Sequence, residues 1–432
     1  MMTTLHLTAG TCAEALDCGN EFTTGSELFR WPVITTEMRA NVLAVLDAGT
    51  MSGTDVTRKF ERAYADWIGV SLALGHNTGT AALAGAMVGV GLGPGDELIA
   101  PTATFWASCT QALALGAKVV FADIDPETLC IDPADIEHRI TPRTKAIMAV
   151  HHLGYPADMD RINALARKHK IKVIEDVSHA QGSLYKGRPA GALADVAAMS
   201  LMSAKSFAIG EAGILLTSDR TIYERVILWG HAERHGELTD PALVARAGIP
   251  NGGWKCRMHQ LSSAVGLAEL PLYPAQIAEI DRAMNYFYDR LEGVPGIRAH
   301  RPPKGSGSTM GGWYCPHALY RPEELGGLSV TTFCKALNAE GVAIATPGLT
   351  DLLHRHPLFA EYPANSGPYP AAETIQARTM YIPWFKRFRP ETIDRYVAAY
   401  RKVAEHYREL LALDQGDDPQ LGRWMLSPQK KN

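Results

Sequence analysis

Two apolar, β-rich stretches of this sequence end in groups able to do chemistry. Residues 171–174 run into the acidic pair Glu175 and Asp176, and residues 196–202 are followed at close range by Lys205. In open α/β sheets, ligands sit just outside the carboxyl ends of the strands. A carboxylate and an amine delivered there are therefore placed for catalysis, and a lysine in that position suggests a Schiff base. Side chains alternate across a strand, so Asp176 is expected in the site and its neighbour Glu175 on the opposite face.

Other motifs compete for the role of a ligand site. Asn77, Thr78, Gly79 and Thr80 lie where a strand-like segment turns into a helix-like one. A helix N-terminus offers unpaired N–H groups and a positive dipole end, and glycine lets the backbone approach an anion, so this junction reads as a phosphate seat. Plain N-capping would use the same residue types. Thr104, Phe105 and Trp106 follow the next strand and set an aromatic face beside the seat, although such aromatics taken alone more often belong to a core. The glycine-rich run at 89–95 precedes a strand, where a dinucleotide fingerprint must follow one, and reads as a helix-to-strand turn. His231, Glu233 and His235 are reminiscent of a metal site, but no PCxxC follows and HExxH is not matched; a solvated helix is expected. His151 and His152 end a strand, so one of the two faces the site. Taken together, a phosphate seat, an aromatic plate, a carboxylate and a lysine are the groups that pyridoxal 5'-phosphate needs. The carboxylate keeps the pyridine nitrogen protonated, so that the ring can act as an electron sink, and the lysine holds the cofactor and later serves as a base.

The elements that must position these groups alternate. From residue 71 onward, strand-like and helix-like segments succeed one another, the signature of a doubly wound, mostly parallel sheet. We expect an N-terminal arm over 1–35, a large domain over 36–265 and a small C-terminal α+β domain over 266–412, entered by one long helical region from about 258 to 291. A polar tail over 413–432 is expected to be disordered. The 432 residues are 46% hydrophobic and 20% charged, which is ordinary for a globular protein, and the net charge of -4 leaves no footprint for nucleic acid or an anionic membrane. No apolar run reaches membrane-spanning length, and the N-terminal segment lacks the pattern of a signal peptide. Seven scattered cysteines form neither a zinc pattern nor a disulfide framework, which favours a reducing cytoplasm.

The segments 77–83 (NTGTAAL), 93–105, 141–160, 174–191 and 200–213 (SLMSAKSFAIGEAG) together resemble the DegT/DnrJ/EryC1/StrS family of sugar aminotransferases. The resemblance runs from about residue 29 to 411 and implies the fold type I architecture of pyridoxal phosphate transferases. It implies Lys205 for the Schiff base, Asp176 for the pyridine nitrogen, His179 near the ring hydroxyl, Thr78, Gly79 and Ser200 on the phosphate, and Phe105 stacked on the ring. It also implies a homodimer with shared active sites, in which Lys255 and Arg257, within the segment 253–261, reach the phosphate from the neighbouring subunit; surface cations on a loop are the alternative. The implied reaction moves an amino group from glutamate or glutamine to a keto-sugar, nucleotide-linked or free, or a keto-cyclitol, in amino-sugar, glycan or antibiotic biosynthesis. Leu201, Ala212 and Lys255 depart from the family pattern without touching the imine chemistry. A dehydratase or eliminase of the same fold is the alternative, but family members acting as sugar dehydratases carry histidine where this chain has Lys205. A non-enzymatic regulator would need a DNA-binding appendage or basic patch, and neither is visible.

Overall fold

The computed structural model describes residues 28–349, 351–360, 362, 365, 367–419 and 421. The chain forms two compact units: Pro32–Ile277 with Pro302–Tyr314, and Ala278–Arg301 with the chain from Cys315 onward and the segment ending at Trp31. The exchange between units thus comes twelve residues later than the composition suggests, and 302–314 returns to the larger unit.

The larger unit is built on a seven-stranded sheet of order β1-β9-β8-β5-β4-β2-β3. Its strands are β1 (Leu72–His76), β2 (Glu97–Pro101), β3 (Lys118–Ala122), β4 (Thr144–Val150), β5 (Lys172–Asp176), β8 (Val196–Ser200) and β9 (Gly213–Thr217), and a small hairpin, β6 (Leu184–Tyr185) and β7 (Arg188–Pro189), lies between β5 and β8. Only β9 runs antiparallel to its neighbours. The other pairs are parallel. β2 and β9 are buried along their whole length, which is why these strands read as continuous apolar runs rather than as alternations. Its helices are α1 (Thr36–Asp47), α2 (Asp55–Ile68), α3 (Gly79–Gly89), α4 (Gln111–Ala114), α5 (Pro133–Arg139), α6 (Met159–His169), α7 (Arg220–Gly230), α8 (Pro241–Val244) and α9 (Gln260–Glu269), and α10 (Tyr273–Arg290) begins in this unit and runs on into the smaller one. One core cluster joins Phe60 and Tyr64 of α2 to Met199, Ile214 and Leu216; another joins Ile136 and Ile162 of α5 and α6 to Ile99, Ile147 and Val173. The glycine-rich run is the expected turn, with Gly91 and Gly95 at φ of 79° and 87°. The long helix expected over 258–291 is two helices, with Pro271 between them.

The smaller unit carries a four-stranded antiparallel sheet, β10 (Ile297–Ala299), β11 (His317–Tyr320), β13 (Thr379–Tyr381) and β12 (Thr346–Pro347) in that order, with helix α11 (Val330–Ala339). The first part of the expected tail is ordered by that helix. Asp414 Oδ2 accepts the Ser329 N–H at 2.9 Å, and Asp417 Oδ1 accepts the Thr331 N–H at 3.0 Å. Carboxylates here meet the positive end of the helix, which local polarity alone does not reveal. The rest of the tail, at 420 and 422–432, and residues 1–27 of the arm lie outside the described residues. Among the described residues no helix is long and apolar enough to cross a membrane.

Candidate active site

Sheet register brings the expected residues to one edge. His76 at the end of β1 pairs with Gly213 at the start of β9, and Gly213 pairs with Ser200 at the end of β8. Asp176 at the end of β5 lies opposite Val150 of β4 and Ala198 of β8. Thr78, Ser200 and Asp176 therefore emerge together.

At the seat, Thr78 Oγ1 accepts the Ala81 N–H at 3.0 Å and opens α3. A Cβ on Gly79 would stand 2.5 Å from Ser200 Cβ and 2.6 Å from Ser200 Cα, and one on Gly213 would collide with the Thr78 carbonyl. Both glycines are thus required for the α3 N-terminus to press against the ends of β8 and β9. Ser200 is held in turn by its N–H on Ser178 Oγ at 3.0 Å and by Gln181 Nε2 on its carbonyl at 2.7 Å.

Asp176 is buried. Its Oδ1 accepts the Ser178 N–H at 3.0 Å, and its Oδ2 accepts the Ser108 hydroxyl at 2.8 Å, with Thr104 Oγ1 3.1 Å behind Ser108. Glu175 occupies the opposite face, as alternation predicts. Its carboxylate meets His151 Nε2 at 2.9 Å and accepts the N–H groups of Gly191 at 2.9 Å and Leu193 at 2.7 Å. Because His151 Nδ1 accepts the Ala157 N–H at 3.0 Å, the neutral ring carries its proton on Nε2, aimed at Glu175. His151 is thus a structural residue, and His152 is the one that stacks on His179, at 5.7 Å between centroids.

Lys205 is 8% exposed and sits in the loop between β8 and β9. That loop is stitched by the Leu201 N–H on Ala212 O at 2.9 Å and the Ser203 N–H on Gly210 O at 2.8 Å. Its Nζ lies 4.0 Å from the centroid of the Tyr314 ring, which is itself 4.7 Å from that of His179. His179 Nδ1 accepts the Leu153 N–H at 3.3 Å, so in the neutral ring the proton is on Nε2.

Phe105 is 51% exposed and tilts against Trp106 at 4.9 Å. Lys255 is exposed and Arg257 half-buried, and their segment runs along the end of β1 in its own chain: the Asn77 N–H donates to Cys256 O at 2.7 Å, and His76 bridges Arg257. Lys255 lines a cavity of ≈ 230 Å³ with Asn77, Thr78, Gln111 and Trp254. The HAERH motif is not the solvated helix expected. His231 and His235 are buried, and His231 Nε2 lies 3.3 Å from His76 Nε2. Burial pushes both His76 and His231 down, and the mutual repulsion adds to this at His76. No cluster of three metal-ligating side chains occurs among the described residues.

Ser108, Ser178, Gln181 and Tyr314 were not singled out by sequence reasoning. Only Ser108 had a signal there, as a hydroxyl two residues after the aromatic pair. The site's own features fit pyridoxal phosphate: a helix N-terminus opened by glycine for an anion, a buried carboxylate for a protonated ring nitrogen, and a buried lysine joined through the Tyr314 ring to an N–H-bearing imidazole.

Residues 32–401 match the model of the DegT/DnrJ/EryC1/StrS aminotransferase family. The chain is 33% identical over 345 residues to GDP-perosamine synthase of Caulobacter vibrioides, covering 80% of this chain and 89% of that protein. It is 31% identical over 413 residues to L-glutamine:scyllo-inosose aminotransferase of Streptomyces griseus, covering 88% and 95%. The solved structure of the aminotransferase from Psychrobacter cryohalolentis superposes with a TM-score of 0.78 at 25% identity, covering 88% of this chain and 99% of that one. The chain belongs to the DegT/DnrJ/EryC1/StrS family, as a pyridoxal phosphate-dependent aminotransferase of fold type I.

Proposed function

We propose that Lys205 is the residue that carries pyridoxal phosphate, and that the enzyme moves an amino group from glutamate or glutamine to the carbonyl of a keto-sugar or keto-cyclitol. The convergence of Asp176, Ser200 and Thr78 at one sheet edge, with Lys205 on the loop that leaves it, carries this reading. One relative is a GDP-perosamine synthase and another an L-glutamine:scyllo-inosose aminotransferase, names that pair a sugar with one and a cyclitol ketone and glutamine with the other.

When bound, the cofactor supplies a carbonyl carbon that exchanges amines and a ring that accepts the electron pair left when a carbon loses its proton. The chain's residues do the rest. Thr78, Gly79 and Ser200 bind the phosphate with α3's N–H groups. Asp176 keeps a proton on the ring nitrogen, and His179 presents its Nε2 proton to the ring hydroxyl. Phe105 covers one ring face. Lys205 Nζ would take the proton from the donor's α-carbon, return it at the carbon that was the cofactor's carbonyl, and make both movements in reverse on the acceptor, so that donor and acceptor would react in turn.

A homodimer with shared sites is part of the reading, with the neighbouring subunit's Lys255 and Arg257 completing the phosphate site. It is supported by the exposure of Trp106, Ile249 and Trp254, large apolar side chains that a second copy would cover. The free cysteines among the described residues support a reducing, cytoplasmic setting.

Lys205→Ala is the direct test. It is expected to lose the visible absorbance of lysine-bound cofactor and nearly all turnover, and an unchanged spectrum refutes the assignment. With wild-type protein, glutamate or glutamine alone is expected to leave its amino group on the cofactor, which elimination would not do. Adding keto-sugars and inososes one at a time then identifies the acceptor.

A further inference from the structure

Tyr314 is held against Lys205 by a strained and closely fitted backbone. Its two neighbours, Trp313 and Cys315, both adopt left-handed conformations, with φ of 55° and 49°. Non-glycine residues enter that region rarely and at a cost, and such strain persists where the surroundings over-determine it. The surroundings here are specific. A Cβ on Gly311 would stand 2.5 Å from Gln181 O and from Ser183 N, and one on Gly312 would collide with the Ser206 side chain. The Thr309 N–H donates to Leu184 O at 2.9 Å, the Gly312 N–H to Gln181 O at 3.3 Å and the Trp313 N–H to Met310 O at 3.1 Å, with Trp313 buried. Ser206, next to Lys205, is fixed to the same frame: its hydroxyl donates to Gln181 Oε1 at 2.8 Å and accepts the Tyr273 hydroxyl at 2.9 Å. Both sides of the Lys205–Tyr314 contact are therefore anchored to Gln181.

We propose that Tyr314 is a positioning residue whose ring face holds the Lys205 side chain in the intervals when its nitrogen is released and carries a proton, as an ammonium. A transamination frees this lysine in each half of the cycle. Four rotatable bonds would let a released Nζ leave the site, and the face of a fixed aromatic ring 4.0 Å away retains it by attraction between cation and ring quadrupole. The other contact of the ring, 4.7 Å to His179, sets the lysine and the imidazole on one support.

The proposal rests on Lys205 being the attachment residue. The test follows capture of added pyridoxal phosphate by apoprotein as the growth of visible absorbance, across pH, in wild type, Tyr314→Phe, Tyr314→Leu and a protein with trifluorinated phenylalanine at 314. Phenylalanine keeps the ring face and should hold the pH midpoint of capture within about 2-fold in proton affinity of wild type. Leucine and the fluorinated ring, whose shape matches phenylalanine but whose face no longer attracts a cation, should each lower that affinity by about 10-fold. Equal midpoints in all four proteins overturn the proposal, as does a phenylalanine variant shifted as far as leucine. If the leucine variant melts early, the fluorinated protein decides alone. Lys205→Ala run alongside separates the two readings, because capture that survives it means that the attachment residue itself is wrong.

Discussion

The adjacent acids Glu175 and Asp176 make opposite predictions, and their contrast tests how the site is built. Consider Glu175→Gln. The carboxylate takes three donors in a fully buried position: His151 Nε2 and the N–H groups of Gly191 and Leu193. A glutamine oxygen can still accept on one side, but its NH₂ must then face a donor. His151 cannot relieve the conflict by changing tautomer, because its Nδ1 already accepts the Ala157 N–H. One to two charge-assisted bonds are lost, and a buried donor is left facing another, at a cost of about 3 kcal/mol. In a unit of this size that corresponds to a fall of roughly 5–10 °C in the melting midpoint. Asp176→Asn should behave in the reverse way. The amide oxygen can keep the Ser178 N–H, and the NH₂ can donate to Ser108, whose hydroxyl then turns to Thr104 Oγ1, 3.1 Å away. The fold should therefore melt within about 2 °C of wild type, consistent with a substitution that leaves no polar group unpaired. On the proposed role of Asp176, an amide would no longer hold a proton on the cofactor's ring nitrogen, so kcat should fall about 100- to 1,000-fold. Thermal melts of apoprotein and steady-state rates on the two variants check both halves. A Glu175→Gln protein that melts normally but is inactive, beside an Asp176→Asn protein that is unstable but active, would refute the assignment of the two faces.

Two further outcomes follow from the packing. Gly79→Ala puts a Cβ against the backbone of Ser200, which cannot swing away as a side-chain tip would. The variant should lose about 1–3 kcal/mol of stability and at least about 10-fold in pyridoxal phosphate affinity by equilibrium dialysis, and wild-type affinity would remove the seat from this place. Glu269 is buried with its Oε2 unpartnered, and burial, opposed only in part by Gln276, pushes its carboxyl up to about 7. The folded state then keeps this proton to higher pH than the unfolded chain. The group's share of stability is full below its ordinary value of 4.5 and is lost as pH rises through about 7. Glu269→Gln should therefore raise stability by up to ~3 kcal/mol at pH 8 and by nothing at pH 4, read from denaturant midpoints. Equal gains at both pH values contradict this.

Much of the site could be read from sequence because of how a parallel sheet works. Buried strands are apolar throughout, so a charged residue at the end of such a run, Asp176 after VIE or Lys205 just past Ser200, stands out, and the sheet itself delivers those ends to one edge. The alternation that separated Glu175 from Asp176 is likewise a property of any strand. What could not be read depends on partners far away in the chain. Ser108 meets Asp176 across 68 residues. Tyr314 is selected by the fit of Gly311 and Gly312 against a loop more than a hundred residues earlier, and no period or motif encodes that approach. The HAERH histidines failed for the converse reason: their local polarity suggests water, but His231 is buried against His76, whose own burial is set by β1.

Gln181 explains how groups from residues 176 to 314 are kept in one frame. Its Nε2 donates to Ser178 O at 3.2 Å and to Ser200 O at 2.7 Å, its Oε1 accepts from Ser206, and its main-chain carbonyl lies 3.0 Å from the Tyr273 hydroxyl oxygen. Each of these bonds fixes a neighbour of a chemical group: Ser178 beside Asp176, Ser200 in the seat itself, Ser206 beside Lys205. The same carbonyl receives the Gly312 N–H two residues before Tyr314. A buried amide with both its donors and its acceptor engaged has one orientation, since rotating it by half a turn would set its oxygen against the Ser178 and Ser200 carbonyls. An apolar side chain of similar size could fill the volume but could not transmit that orientation. Gln181 thus ties together neighbours of the acid, of the proposed phosphate seat and of the lysine.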